Sequence, residues 1–162
     1  MSCTNKSITT PECTKSTGTR DHDGNASASI KLIPPSEASE KLEALYDDIK
    51  TTLGIDFVPN MYKAMANNPV YLEHSWKRIR DVMGQDGKLG KKTKDIIALT
   101  VSIMSGCDYC INVYNGAVRH NGLDDEAMLE LYNVIDVYSG LNRLNVGLQL
   151  RRDEQPWNGC GA

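Results

Sequence analysis

Between positions 30 and 150 the apolar residues recur at intervals of three or four, and this spacing limits the fold more than any other feature of the sequence. Residues spaced in this way lie on one face of a helix, and the period-two alternation typical of strands does not persist over a useful length. The sequence therefore predicts an all-α domain of six or seven helices. For the β-branched stretch 96–104 a strand is the competing interpretation. Gly140 is expected to separate the last two helices.

The two ends of the chain differ in composition from the stretch between them. Residues 1–29 are rich in Ser and Thr and almost without bulky apolar side chains, so this segment cannot bury enough surface to offset the entropy cost of ordering. We predict a disordered N-terminal tail over 1–29, a helical domain over 30–150 and a C-terminal tail over 151–162. The tails contain three of the five cysteines, which are Cys3, Cys13 and Cys160.

The charge and hydropathy of the chain argue against two classes of partner. Its 162 residues carry a formal net charge of -3, whereas a nucleic-acid groove or an anionic membrane surface requires a basic face on the protein. No apolar run approaches the roughly 18 residues of a membrane span, and no apolar segment follows Lys6 as it would in a secretory signal. We therefore expect a cytoplasmic protein that binds neither nucleic acid nor membrane.

Cys107 and Cys110 stand three positions apart, directly after the helix-breaking Ser105-Gly106. This spacing places both thiols on one face of the first turn of a helix, where unpaired N–H groups and the helix dipole stabilise a thiolate. We expect both to ionise more readily than a free cysteine. A structural zinc site would need a second close pair of ligands, and a thioredoxin-like motif would follow a strand. Two reduced cysteines packed as small apolar residues are the remaining alternative.

Residues 92–131 read KTKDIIALTVSIMSGCDYCINVYNGAVRHNGLDDEAMLEL. This segment resembles the core motif of the carboxymuconolactone decarboxylase-like family. The shared order is an acid, an apolar helix, a small residue and Gly before Cys-x-Tyr-Cys, a second helix, Gly-Leu and an acidic cap. The redox-active members of that family include the alkylhydroperoxidase D proteins. Val58-Pro59-Asn60 and the segment 142–145 also resemble family features. The resemblance implies an alkylhydroperoxidase D-like helical domain that assembles as a homo-oligomer, commonly a trimer or a hexamer.

The resemblance also implies roles for individual residues. Cys110 corresponds to the cysteine that attacks the peroxide, and Cys107 to the one that resolves the sulfenic acid to a disulfide. Asp95 stands where the family has a glutamate that helps to move the proton. Tyr114 stands where the family has a histidine, and a phenol with a pKa near ~10 stays protonated at neutral pH. Tyr114 can still donate a hydrogen bond, and Tyr109 is expected to help shape the substrate pocket.

Other charged residues do not restore the missing histidine. His120 follows Cys110 by ten positions and lies about 80° further round the helix, beyond direct reach. His74, on an earlier helix, is interpreted as a surface residue, with an imidazole that reaches the site through the fold as the alternative. The lysines at the start of the most apolar helix are interpreted as a solvated face, and they are Lys91, Lys92 and Lys94.

Three functions are compatible with these residues. The first is a thiol-dependent peroxidase that reduces hydroperoxides with electrons from a dithiol partner protein and without a metal or a flavin. The second is a non-catalytic helical oligomeric scaffold, or a redox-responsive module, with a structural or regulatory disulfide. The third is the lactone decarboxylation that names the family, and it has the least support because it does not rest on a Cys-x-x-Cys pair. The sequence favours the peroxidase.

Overall fold

The computed structural model describes residues 28–84 and 87–152, and every element in these ranges is helical. A 3-10 turn at Pro35–Glu37 precedes six α-helices, which confirms the prediction of an all-α fold. The helices are α1 (Glu40–Leu53), α2 (Asn60–Met65), α3 (Pro69–Met83), α4 (Gly90–Met104), α5 (Asp108–His120) and α6 (Asp125–Gly147). No helix within the described ranges is both long enough and apolar enough to cross a membrane.

Two expectations about particular elements are wrong. The stretch 96–104 lies inside α4, so the strand interpretation of its β-branched residues fails. Gly140 does not separate two helices, because α6 continues through it for 23 residues. A glycine inside a helix costs only about 1 kcal/mol relative to alanine, which is too little to end a helix that is otherwise continuous. The predicted tails lie almost entirely outside the described residues.

The chain divides into two compact units, one up to Ile79 and one from Arg80 onward. In the first unit, α1 buries Tyr46 and Ile49, and α3 buries Trp76. The indole Nε1 of Trp76 donates a hydrogen bond to Asp48 at 2.6 Å, and its ring packs edge-on against Tyr62 with the ring centroids 5.5 Å apart. The buried aromatic side chains thus have partners for both their apolar faces and their polar atoms.

In the second unit, α4 and α5 pack against each other. The buried core consists of Leu99, Val118, Leu123 and Met128. Asp124 caps α6 as its position predicts, because its carboxylate accepts a hydrogen bond from the N–H of Ala127 at 2.9 Å. Val118 of α5 lies in this core, and the first turn of the same helix carries the cysteine pair.

Candidate functional site

The turn between α4 and α5 determines where the first cysteine lies. Gly106 has a φ of 65°, in the left-handed region that glycine adopts without strain. The turn is closed by two backbone hydrogen bonds, from Gly106 N–H to the carbonyl of Ile103 at 3.1 Å and from Cys107 N–H to the carbonyl of Ser102 at 3.0 Å. The chain therefore reverses within three residues and delivers Cys107 to the start of α5.

Cys107 is the N-cap residue of α5, with φ -90° and ψ 89°. Its Sγ accepts a hydrogen bond from the backbone N–H of Cys110 at 3.3 Å, and its carbonyl accepts one from the N–H of Ile111 at 2.9 Å. Both cysteines are partly buried and both are free thiols. The predicted placement of the pair at a helix start is confirmed, and the first cysteine acts as the helix cap.

The expectation that both thiols ionise readily is wrong for Cys110. Its pKa is raised above the ordinary value, first by a hydrogen bond with the thiol of Cys107, then by burial and by charge on Cys107. The two sulfurs are close enough to share a proton, so ionising the second thiol places two negative charges side by side. Helix position alone therefore does not make both cysteines reactive.

Tyr114 lies one helical turn after Cys110 and packs against the core of the second unit. Burial raises the pKa of its phenol, and the negative charges of Asp95 and Cys110 raise that pKa further. Tyr114 is thus a protonated phenol within electrostatic range of both groups. Tyr109, in contrast, is 44% exposed beside the pair, where it can contact a molecule that approaches the thiols.

Asp95 is fully buried near the start of α4. Lys91 Nζ lies 2.6 Å from each of its carboxylate oxygens, and Asn121 Nδ2 donates to Oδ2 at 2.7 Å. Asn121 also donates to the carbonyl of Ala117 at the end of α5. The carboxylate consequently joins the start of α4 to the end of α5, while its charge acts on Tyr114.

Two partners of this carboxylate, Lys91 and Asn121, are not among the residues that the sequence predicts for the site. The interpretation of Lys91 as part of a solvated face leaves out its ion pair with Asp95, for which the spacing of four positions is a usable signal. Lys94, which is included in the same predicted solvated face, also has a partner on the protein, because its Nζ donates a hydrogen bond to the carbonyl of Val82 at 2.7 Å. Asn121 stands 26 positions from Asp95, and no local pattern signals such a contact.

His74 and His120 lie where the sequence predicts them. His74 is an exposed residue of α3 in the first unit, and His120 is the exposed last residue of α5. Within residues 28–84 and 87–152, no group of three or more His, Cys, Asp or Glu side chains is arranged to hold a metal ion.

Fold and site together define a class of all-helical proteins that carry a Cys-x-x-Cys pair at the start of a core helix. The carboxymuconolactone decarboxylase family model matches residues 71–153, and the chain belongs to this family. The crystal structure of the alkylhydroperoxidase AhpD core from Rhodospirillum rubrum matches with a TM-score of 0.75 and 31% sequence identity. That match covers 78% of this chain and 95% of the other. The predicted resemblance to the alkylhydroperoxidase D branch is confirmed.

Curated relatives are more distant. The chain is 24% identical over 120 residues to the alkyl hydroperoxide reductase AhpD of Rhodococcus erythropolis strain PR4. The aligned region covers 71% of this chain and 65% of the relative. It is 26% identical over 116 residues to the protein of the same name from Methylobacterium sp. strain 4-46, covering 72% and 62%. An (R)-2-haloacid dehalogenase of Pseudomonas putida is 26% identical over 107 residues, covering 66% of this chain and 35% of the relative. The chain thus spans about a third to two thirds of the length of these relatives.

Proposed function

We propose that this protein is a thiol-dependent peroxidase or disulfide oxidoreductase that reduces hydroperoxides through Cys107 and Cys110. The observation that carries the proposal is the pair of free thiols at the start of α5, joined by the hydrogen bond from the N–H of Cys110 to the sulfur of Cys107 at 3.3 Å. The likeness to the AhpD core of Rhodospirillum rubrum supports the same chemistry. A partly exposed thiolate is the species that attacks a peroxide oxygen.

The reaction needs only the two thiols and an external reductant. One cysteine attacks the hydroperoxide and becomes a sulfenic acid while an alcohol leaves, and the other cysteine then displaces water to form the Cys107–Cys110 disulfide. A dithiol partner protein returns the disulfide to two thiols by exchange. Two electrons pass from the dithiol partner through the two cysteines to the peroxide, so the scheme requires no cofactor. A cytoplasmic location, where thiols are kept reduced, suits this cycle.

The other residues of the site have supporting roles in this proposal. Tyr114 remains protonated because its pKa is raised, so it donates a hydrogen bond to the peroxide or to a thiolate rather than accepting a proton. The charge of Asp95 raises the pKa of Tyr114, so Asp95 supports the phenol as a hydrogen-bond donor. Tyr109 contributes an exposed aromatic surface beside the pair, against which an organic hydroperoxide can pack.

A homo-oligomer is the second part of the proposal. Met128 is the one buried residue of α6, and large apolar side chains of this helix lie exposed on its remaining turns. They are Leu129, Tyr132, Val134, Val137, Tyr138, Leu141, Leu144 and Val146. Exposed apolar side chains in this number are typical of a surface that binds another protein. A trimer or a hexamer of this chain, formed through α6, would bury these side chains.

The replacement of the family histidine by Tyr114 favours a second candidate. A site with no base beside Cys110 suits a helical oligomeric scaffold, or a redox-responsive module, whose disulfide is structural or regulatory. Such a protein would form the Cys107–Cys110 bond once and would not turn over with peroxide and a reductant.

Peroxide consumption separates the two candidates. The full chain is reduced, and the loss of cumene hydroperoxide is followed in the presence of dithiothreitol. The peroxidase consumes peroxide catalytically, because dithiothreitol reduces the Cys107–Cys110 disulfide that forms in each turnover. The variant carrying both Cys107→Ser and Cys110→Ser keeps the other three thiols and is the matched control. If the wild type consumes peroxide no faster than this control, the peroxidase proposal fails and the scaffold gains support.

A further inference from the structure

The two cysteines do not occupy equivalent positions at the start of α5. The sulfur of Cys107 is the cap of the helix and accepts the N–H of Cys110 at 3.3 Å. An N–H donor and the positive end of the helix dipole both act on this sulfur, and both interactions strengthen when it carries a negative charge. Cys110, at the third position of the helix, supplies this N–H group. The helix terminus therefore stabilises a thiolate on Cys107.

The surroundings of Cys110 act in the opposite direction. Its pKa is raised by the hydrogen bond with Cys107, by burial and by charge on Cys107. Its helix neighbour Ile111 packs against the core of the second unit, whereas Cys107 stands between the exposed residues Gly106 and Asp108. The direction of this pKa shift favours the protonated form of Cys110.

The two side chains that the family resemblance places in the proton relay do not offset this difference. Tyr114 carries its own proton, because its pKa is raised by burial and by the charges of Asp95 and Cys110. The carboxylate of Asp95 accepts hydrogen bonds from Lys91 and Asn121. Neither the phenol of Tyr114 nor the carboxylate of Asp95 is therefore placed to accept a proton from Cys110 in preference to Cys107.

We propose that Cys107 is the attacking nucleophile of this protein and Cys110 the resolving thiol, the reverse of the order that the family resemblance implies. This assignment rests on the proposed function. The Cys107 thiolate attacks one peroxide oxygen, so that an S–O bond forms, the O–O bond breaks, and the alkoxide takes a proton from solvent and leaves as an alcohol. Cys110 then attacks the sulfur of the sulfenic acid, an S–S bond forms, and the hydroxide leaves as water with the proton of Cys110. Two electrons pass from the two thiols to the peroxide, and the dithiol reductant restores them.

The first test measures which thiol is the nucleophile without using peroxide. The reduced full chain is treated with less than one equivalent of iodoacetamide at neutral pH, and the modified cysteine is located by tandem mass spectrometry. Iodoacetamide reacts with thiolates, and the N–H of Cys110 and the helix dipole stabilise negative charge on the sulfur of Cys107, so we expect several times more label on Cys107 than on Cys110. Equal labelling, or more label on Cys110, overturns the assignment.

The second test follows the reaction with peroxide. Cys110→Ser keeps the N–H that caps Cys107, so this variant should form a dimedone-trapped sulfenic acid on Cys107 close to the wild-type rate of thiol loss. Cys107→Ser should react at least about tenfold more slowly. Faster trapping on Cys110 overturns the assignment. If the wild type reacts no faster than the variant lacking both cysteines, the proposed function fails, while the iodoacetamide pattern still upholds or overturns Cys107 as the nucleophile.

Discussion

Lys91 is the side chain whose removal best measures how far the buried carboxylate of Asp95 depends on a counter-charge. Its Nζ lies 2.6 Å from both carboxylate oxygens, and the side chain of Asp95 is 0% exposed while that of Lys91 is 48% exposed. Lys91→Met keeps the apolar stem and leaves Asn121 as the remaining donor to the carboxylate. Breaking a fully buried pair costs about 3–5 kcal/mol. Because solvent screens the half-exposed lysine, we expect a loss of about 2 kcal/mol in the free energy of unfolding.

Urea unfolding of the full chain, followed by circular dichroism, measures this loss. Lys92→Met is the matched control, because Lys92 is the next residue of α4 and is exposed, and it should stay within about 0.5 kcal/mol of the wild type. The double variant Lys91→Met with Asp95→Leu should recover much of the loss, since replacing both partners by apolar groups leaves no buried charge unpaired. If Lys91→Met is as stable as Lys92→Met, the ion pair does not support the fold and the reasoning is wrong.

Three further predictions concern the site and the assembly. Tyr114→His places a base one turn after Cys110 and should raise the rate of peroxide consumption by at least about tenfold, whereas histidine at the exposed neighbour Val113 should leave that rate unchanged. Because the pKa of Tyr114 is raised in the folded state, the unfolded chain loses this proton first, so stability should fall as the pH rises above about 10. Tyr114→Phe should reduce that fall in urea titrations between neutral and alkaline pH, and an unchanged slope would contradict the shift. Val137→Glu should shift the sedimentation coefficient toward that of a monomer, and Lys92→Glu, at an exposed position of α4, should not.

Much of the fold was predictable because helical periodicity is a local property. The stretch 96–104 shows the limit of propensity, since its β-branched residues favour a strand when taken alone. Within α4 they lie on a helix whose buried positions include Leu99 and Asp95, and burial on that face outweighs a propensity difference that spans only about 1 kcal/mol across residue types. Gly140 shows the same limit, because one unfavourable residue does not end a helix that its neighbours sustain.

The site was predictable to the extent that its geometry is set by spacing along one helix. The interval of three positions placed Cys107 and Cys110 in the first turn, and the interval of four placed Tyr114 one turn further on. The contact between Asp95 and Asn121 depends on how α4 and α5 pack, which no short window of sequence encodes. The difference between the two thiols was missed because the helix-dipole argument treats each sulfur alone. In the folded chain the sulfurs interact with each other, and the charge of one opposes the ionisation of the second.

The proposed order of attack depends on which residue stands at position 114. A thiol becomes a nucleophile when something stabilises its negative charge or accepts its proton. The start of α5 stabilises the negative charge of Cys107, and a histidine one turn after Cys110 would accept the proton of Cys110. Tyr114→His should therefore do more than raise the peroxide rate, because it should also move the iodoacetamide label from Cys107 toward Cys110. A faster enzyme that is still labelled on Cys107 would show that the new imidazole acts on the peroxide and not on the thiol, and would separate the order of attack from the identity of residue 114.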